Sequence, residues 1–269
     1  MKDNKNNSVL ISIIIILIII VMGLMNFIIY KELFTEKSIN NYNTTSTSKQ
    51  ISLKIDNKKD WIYDANYELN VKQESYSTYY KTYDINDYKA PYININSVYA
   101  KTINNEIKNL YNEAIKVFNE GIEDKTSYID TFEYNYYLNE NILSLVITTG
   151  YGATDTVYPN YYIYNIDIEN GNKIIFEDII NYKNLSNSNF DNKAQKAILN
   201  EYDNFYKDIS KDDSLYTEYY ESYKQDTIND YKNNTNKKCY IDNNGDIYLL
   251  TTISFPAGRE YADKLVLIK

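Results

Sequence analysis

"APYININSVYAKTINNEIKNLYNEAIKVF", residues 90–118, turns from an extended chain into a helix within a few positions, and this junction decides the fold. Pro91 opens an extended piece carrying Tyr92, Ile93 and Ile95, and proline is tolerated at the first position of an edge strand. Asn96 or Ser97 supplies the N-cap of a helix. Ile103, Ile107, Leu110, Ala114, Val117 and Phe118 then recur at spacings of three and four, which makes one apolar stripe along that helix. Lys101, Asn105, Glu106, Lys108, Asn109, Asn112 and Glu113 occupy its wet side. Gly121 is placed to end the helix. Strand, cap and helix packing account for every position, so the stretch is a structural signature rather than a chemical device.

The flanking segments are mostly extended. In "WIYDANYELNVKQESYSTYYKTYDINDY" (61–88), Tyr67, Leu69 and Val71 alternate with Glu68, Asn70 and Lys72, the period of a half-buried strand. "SYIDTFEYNYYL" (127–138) and "NILSLVITTGYG" (141–152) are β-rich runs flanking a turn at Asn139–Asn141. "NYYIYNIDI" (160–168), the turn "ENGN" and "KIIF" (173–176) read as a second hairpin, because Asn-Gly between apolar runs favours a tight reversal. Ala194, Ala197, Ile198, Tyr202 and Phe205 define a second amphipathic helix. Residues 213–235 suit either helix or irregular chain. "CYID", the turn "NNGD", "IYLLTTISF", a Pro-Ala-Gly loop and "KLVLI" close the sequence with more strands. Hairpins with helices grouped between them predict an α+β fold: an antiparallel β-sheet packed with two or three amphipathic helices.

"VLISIIIILIIIVMGLMNFII", Val9–Ile29, is an uncharged run of about 21 residues, enough to span ~30 Å as a helix. It is expected to be one transmembrane helix (9–30) preceding the folded part, after a cytoplasmic tail (1–8). Lys2 and Lys5 before it favour a cytoplasmic N-terminus and an extracellular C-terminal domain at the cell membrane. No cleavage site comes after it, so it reads as an uncleaved signal anchor, with a polar linker at 31–50. Residues 51–269 are then one domain or two tightly packed lobes, divided near residue 150.

Composition excludes much chemistry. The chain has no histidine and a single cysteine, Cys239. Triads, Cys-His pairs and imidazole acid–base catalysis are therefore ruled out, and zinc sites lack their usual ligands. Cys239 has no disulfide partner and reads as a small buried hydrophobe. The net charge of -9 argues against nucleic acid as a partner. "DNNGD" (242–246) starts like a calcium loop but has Ile253 where the closing acid belongs, so it reads as a hairpin turn. "GYGATD" (150–155) lacks the third glycine of a dinucleotide motif. The acidic neighbours Glu177–Asp178 and Asp212–Asp213 carry no signal among 37 carboxylates. No catalytic residue, cofactor or metal is expected.

Tyrosine is the residue in excess, 32 against 8 phenylalanines, although both have AT-rich codons. A ring with a polar tip suits half-exposed strands and contact surfaces. The expected binding surface comprises Tyr151, Tyr158, Tyr161, Arg259 (the sole arginine) and Tyr261, on the loops at 150–159 and 255–262.

Three segments resemble a known bacterial family. "PYININSVYAKTINNEI" is similar to its strand–helix junction, "NYYIYNIDIENGNKIIFEDII" to its middle segment, and "CYIDNNGDIYLLTTISFPAGREYADKLVLI" to its last module. The family comprises the extracellular domains of the RsiV type (lysozyme-sensing anti-sigma factors) and the non-catalytic N-terminal part of PdaC-type peptidoglycan deacetylases. The resemblance covers roughly residues 60–269. It implies an extracytoplasmic α+β binding or sensing domain, non-enzymatic, with lysozyme-type proteins or peptidoglycan as partners. Neither parent activity carries over whole: a tail of about eight residues is too short to hold a sigma factor, and a deacetylase metal site needs histidine. A carboxylate-dependent cell-wall hydrolase and a structural envelope protein working through a membrane partner are the alternatives.

Overall fold

Four short strands lead into the folded part: β1 (Ile62–Asp64), β2 (Ser75–Ser77), β3 (Thr82–Asp84) and β4 (Pro91–Ile93). They pair as two antiparallel ribbons, β1 with β4 and β2 with β3. The structure is a computed structural model and describes residues 60–67, 71–78, 82–124, 127–153, 156–207, 214–254 and 261–269. Asn57–Lys269 form one compact unit. Of the strand expected around Tyr67–Lys72, residues 68–70 lie outside the described residues; Tyr67 and Val71 on either side are not in strand and pack half-buried on the core.

Helix α1 (Val98–Asp124) comes directly after the junction. Ser97 is its cap: the Ala100 N–H donates to Ser97 Oγ at 3.0 Å. Of the expected stripe, Ile103, Ile107, Ala114 and Phe118 are at most 1% exposed, whereas Leu110 and Val117 are half-buried at its edge. The helix runs through Gly121 to Asp124. Gly121 is not among the positive-φ glycines, and without a left-handed residue there is no cap to stop the helix at that point. Asn104 does what sequence periodicity does not reveal. Its side chain accepts from the Ile93 N–H at 2.8 Å and donates to the Ile93 carbonyl at 3.0 Å, satisfying both backbone groups of one β4 residue.

Strands β5 (Ser127–Asn139), β6 (Ile142–Ala153) and β7 (Thr156–Asp167) form an antiparallel sheet with β6 in the middle. The β5–β6 turn uses Glu140 at φ 52°. Residues 142–147 of β6 are buried on both faces, which explains why they read as an unbroken apolar run interrupted only by Ser144. Leu143, Leu145 and Ile147 join the cluster beneath α1, whereas Ile142 joins a second cluster. After β7 the chain reverses at Gly171, whose φ is 72°. A Cβ there would lie 2.3 Å from Ser97 Cβ, so this turn presses on the α1 cap and tolerates only glycine. The expected strand at 173–176 reduces to one bridge, Ile166 to Lys173.

Three helices come next: α2 (Phe176–Tyr182), α3 (Asn187–Tyr206) and α4 (Ser214–Asn233). The buried row of α3 is Phe190, Ala194, Ile198, Tyr202 and Tyr206, spaced strictly by four. Tyr206 thus takes the core position expected for Phe205, which is 43% exposed. Strands β8 (Lys238–Ile241), β9 (Ile247–Ser254) and β10 (Tyr261–Ile268) make the last sheet, ordered β10-β9-β8. Its β8–β9 turn places Gly245 at φ 81°. Ile241, Ile247, Leu249, Val266 and Ile268 meet Ile179, Phe190, Ala194 and Ile198 in the second cluster.

The two larger sheets join through polar side chains. Ser144 Oγ donates to Asn165 Oδ1, Asn165 Nδ2 donates to the Cys239 carbonyl, and the Ile241 N–H donates to Ser144 Oγ. The outer strand β8 is thereby seated on the face of the β5–β7 sheet. Beside this seam Tyr137, Tyr240 and Tyr248 stack in a ladder, with centroids 5.1 and 4.9 Å apart and planes 14° and 6° from parallel.

The α+β class with antiparallel sheets is present, with two corrections. Four α-helices, not two or three, stand among the described residues, because 214–233 is helical and 176–182 adds a short helix. The membrane helix expected to precede the fold is also not part of this architecture. Among the described residues no helix is long and apolar enough to cross a membrane, and 9–30 lie outside them.

Candidate functional site

The ribbon of β1 and β4 puts Ile62, Pro91 and Ile93 in the core and leaves the opposite side wet. On that side the register pair Tyr63 and Tyr92 stacks with centroids 5.0 Å apart, and Tyr63 is 44% exposed. The next residue, Asp64, accepts from Tyr134 OH at 2.9 Å and has Lys89 Nζ at 3.8 Å. Burial, then the hydrogen bond to Asp64, pushes the Tyr134 phenol well above its ordinary value. Asp64, Lys89 and Tyr134 border an open groove of about 510 Å³ between the ribbon and β5, also lined by Asp87, Glu133 and Tyr136. Asp87 ends a 3₁₀ turn (Ile85–Asp87) fixed by Asp84, whose carboxylate accepts the Asn86 N–H at 2.9 Å. Three carboxylates thus face one lysine, beside tyrosines.

A second cleft, of about 240 Å³, has the opposite balance. Tyr99 and Glu106 of α1, Tyr164 of β7 and Phe176 of α2 contribute to its walls, and Lys173, Lys237 and Lys238 surround it. Tyr164 is hydrogen-bonded to Glu106, and burial with that carboxylate raises its phenol pKa. Burial, then the charge of Glu106, pushes Tyr99 up to about 12. The two openings share no lining residue.

Of the residues expected to form the binding surface, the side chains of Tyr151 and Tyr161 are described, and these two do not share a face. Tyr151 and Tyr158 occupy paired register positions on β6 and β7. Tyr151 is half-buried against the cluster under α1, whereas Tyr161 is half-buried near Asp263 and Glu133. Alternation of side chains along a strand separates them to opposite faces. Arg259 lies outside the described residues, as do the side chains of Tyr158 and Tyr261. Asp178 accepts the Ile175 N–H at 2.9 Å, a helix-capping role, and Asp212–Asp213 lie outside the described residues. Asp242 accepts the N–H groups of Asn244 and Asp246, both at 2.9 Å, and so builds its turn. Cys239 is buried in β8, which raises its thiol pKa. Among the described residues no group of three or more His, Cys, Asp or Glu is arranged to hold a metal.

Sequence pattern does not reveal the groove residues. Asp64 and Glu133 meet through tertiary folding alone, and only the tyrosine cluster "EYNYYL" signals that this part of β5 differs from a plain strand. Neither a family model nor a curated protein matches this chain.

Proposed function

We propose that residues 57–269 act as a non-enzymatic, extracytoplasmic binding domain whose groove at β1, β4 and β5 captures a basic protein of the lysozyme type. The observation that carries this reading is the grouping of Asp64, Asp87 and Glu133 with Tyr134 and Tyr136 in one groove; the Tyr63–Tyr92 stack adds aromatic surface on the other face of the same ribbon. Tyrosine supplies contact area at small entropic cost, and carboxylates steer and orient a cationic surface. A net charge of -9 adds long-range attraction for such a partner. The lack of histidine removes imidazole chemistry, and the resemblance to RsiV-type domains supports both the location and the choice of partner.

The test is a binding titration of the chain with lysozyme, with purified peptidoglycan as the second arm. Saturable binding to lysozyme that weakens with salt, and that is lost in a D64N/D87N/E133Q variant, supports the reading. Binding to peptidoglycan alone removes the protein partner, and binding to neither removes both. The same three carboxylates also favour a second reading, glycoside hydrolysis, which needs two of them across a sugar. Release of reducing sugar from peptidoglycan, abolished by E133Q or D87N, is its signature; no release ends it.

A further inference from the structure

The basic cleft differs in chemistry from the acidic groove, and nothing in the binding reading above uses it. Lys173 comes after the turn that ends β7, while Lys237 and Lys238 lead into β8, so three lysines from two chain segments line one opening. None of the three is ion-paired among the described residues, in contrast to Lys72, Lys89 and Lys224. Lys237 is held in place: its ammonium donates to the Asn234 carbonyl at 3.2 Å and sits 4.9 Å from the Tyr231 ring centroid. The chain is acidic overall, so this is a local reversal of sign.

The remaining lining defines the ligand further. Glu106, Asn236 and the tyrosines Tyr99 and Tyr164 offer hydrogen-bond partners suited to hydroxyl groups rather than to a second anion. The volume, about 240 Å³, is below the range of drug-sized pockets and suits a small unit. An adjoining cleft of about 290 Å³ shares Ile175, Phe176, Asn236 and Lys237 with it, which gives the ligand room to continue. Lysine acts as a compact point charge on phosphate, whereas planar carboxylates are matched best by the arginine fork.

We infer that this cleft binds a phosphodiester-linked polyol chain, with Lys173, Lys237 and Lys238 on phosphoryl oxygens and Glu106 and Asn236 on polyol hydroxyls. The site is independent of the acidic groove, so it stands or falls apart from the proposed protein partner.

The experiment titrates the full chain with a short poly(glycerol phosphate), and in parallel with an oligogalacturonate of equal charge and with glycerol 3-phosphate. Saturable binding of the polymer, tighter than glycerol 3-phosphate and weakened by salt, is expected. Replacing two phosphate-binding lysines in K173Q/K238Q weakens it roughly a hundredfold, about tenfold for each charge-assisted hydrogen bond lost. Both side chains are exposed, so the double variant keeps its fold, which its circular dichroism verifies. Lysozyme binding by K173Q/K238Q stays at the parent value. No saturable binding of the polymer overturns the inference, as does unchanged affinity in K173Q/K238Q. Equal binding of the oligogalacturonate overturns the phosphoryl assignment.

Discussion

Ser144 Oγ lies 2.7 Å from Asn165 Oδ1 inside the protein, and together the two side chains hold β8 against the neighbouring sheet. A strand at the edge of a sheet otherwise presents unpaired backbone groups. Here Cys239 and Ile241 are met by an amide and a hydroxyl rather than by a further strand.

Replacing Asn165 with Leu keeps the branched shape but leaves the Cys239 carbonyl without its partner and the Ser144 hydroxyl with only its bond from Ile241. The expected cost is about 2–4 kcal/mol. S144A costs less, about 1–2 kcal/mol, because its bond from Ile241 is the longer one at 3.3 Å. Urea unfolding of both singles and the double gives a coupling energy clearly above zero. Additive effects would show that the pair does not act as a unit.

Asn104 is the second such device. N104L strands both backbone groups of Ile93 and is expected to destabilise by about 2–4 kcal/mol, whereas N105L, at an exposed position one residue on, changes stability by under about 0.5 kcal/mol. Equal effects of the two in urea melts would remove the special role of Asn104.

Gly171 presses on the cap of α1, so G171A combines a left-handed backbone with a steric clash. A loss of about 2–4 kcal/mol is expected. Adding S97G removes the atoms 2.3 and 2.8 Å from the new Cβ and restores part of that stability, although it forfeits the cap. Thermal melts that show no rescue would exclude the clash as the main cause.

Alkaline pH should unfold the protein earlier than acid–base neutrality would suggest. Burial raises the phenols of Tyr99, Tyr111, Tyr151 and Tyr164, with Tyr99 pushed up to about 12. Unfolded tyrosine ionises near ~10. Above that value the unfolded state binds fewer protons than the native one, so stability falls with rising pH and is lost through the folded-state values. With no histidine, stability is expected to be flat from about pH 6 to 8; above that the unfolded Cys239 thiol, near ~8.5, ionises before the buried native one and adds to the fall. Urea midpoints from about pH 6 to 11, with tyrosinate absorbance as the companion signal, test both statements.

Tyr63, on the β1–β4 ribbon, and Tyr136, which lines the acidic groove, are 44% and 46% exposed. A Y63A/Y136A variant is expected to weaken lysozyme binding by roughly tenfold or more, as for aromatic hot spots. Its stability falls by only about 0.5–1.5 kcal/mol, the worth of the Tyr63–Tyr92 stack. Parent-like affinity would move the contact surface elsewhere.

Elements with a local cause are readable in the sequence. The α1 stripe, the Ser97 cap and the two glycine reversals at 171 and 245 arise from side-chain period and backbone freedom. The end of α1 is not readable in that way, because a glycine alone does not terminate a helix unless it turns left-handed. Helix α4 is ambiguous in sequence because its face of Tyr219, Tyr220, Tyr223 and Tyr231 is built of tyrosines, which suit strands and contact surfaces as readily as helices. The clefts are invisible for another reason. Asp64 and Glu133, or Lys173 and Lys238, are brought together by sheet pairing and helix packing, and no spacing in the sequence encodes that meeting.

The tyrosine ladder has an optical consequence. Tyr137, Tyr240 and Tyr248 are held as near-parallel chromophores about 5 Å apart, close enough for their excited states to couple and give a strong near-ultraviolet dichroic band. Trp61, the only indole, packs on the cluster beneath α1 and emits separately. The molecule therefore carries one native reporter beside the seam of the two larger sheets and another on the cluster beneath α1. Coincident loss of dichroism and shift of emission in a urea titration is the behaviour of one cooperative unit.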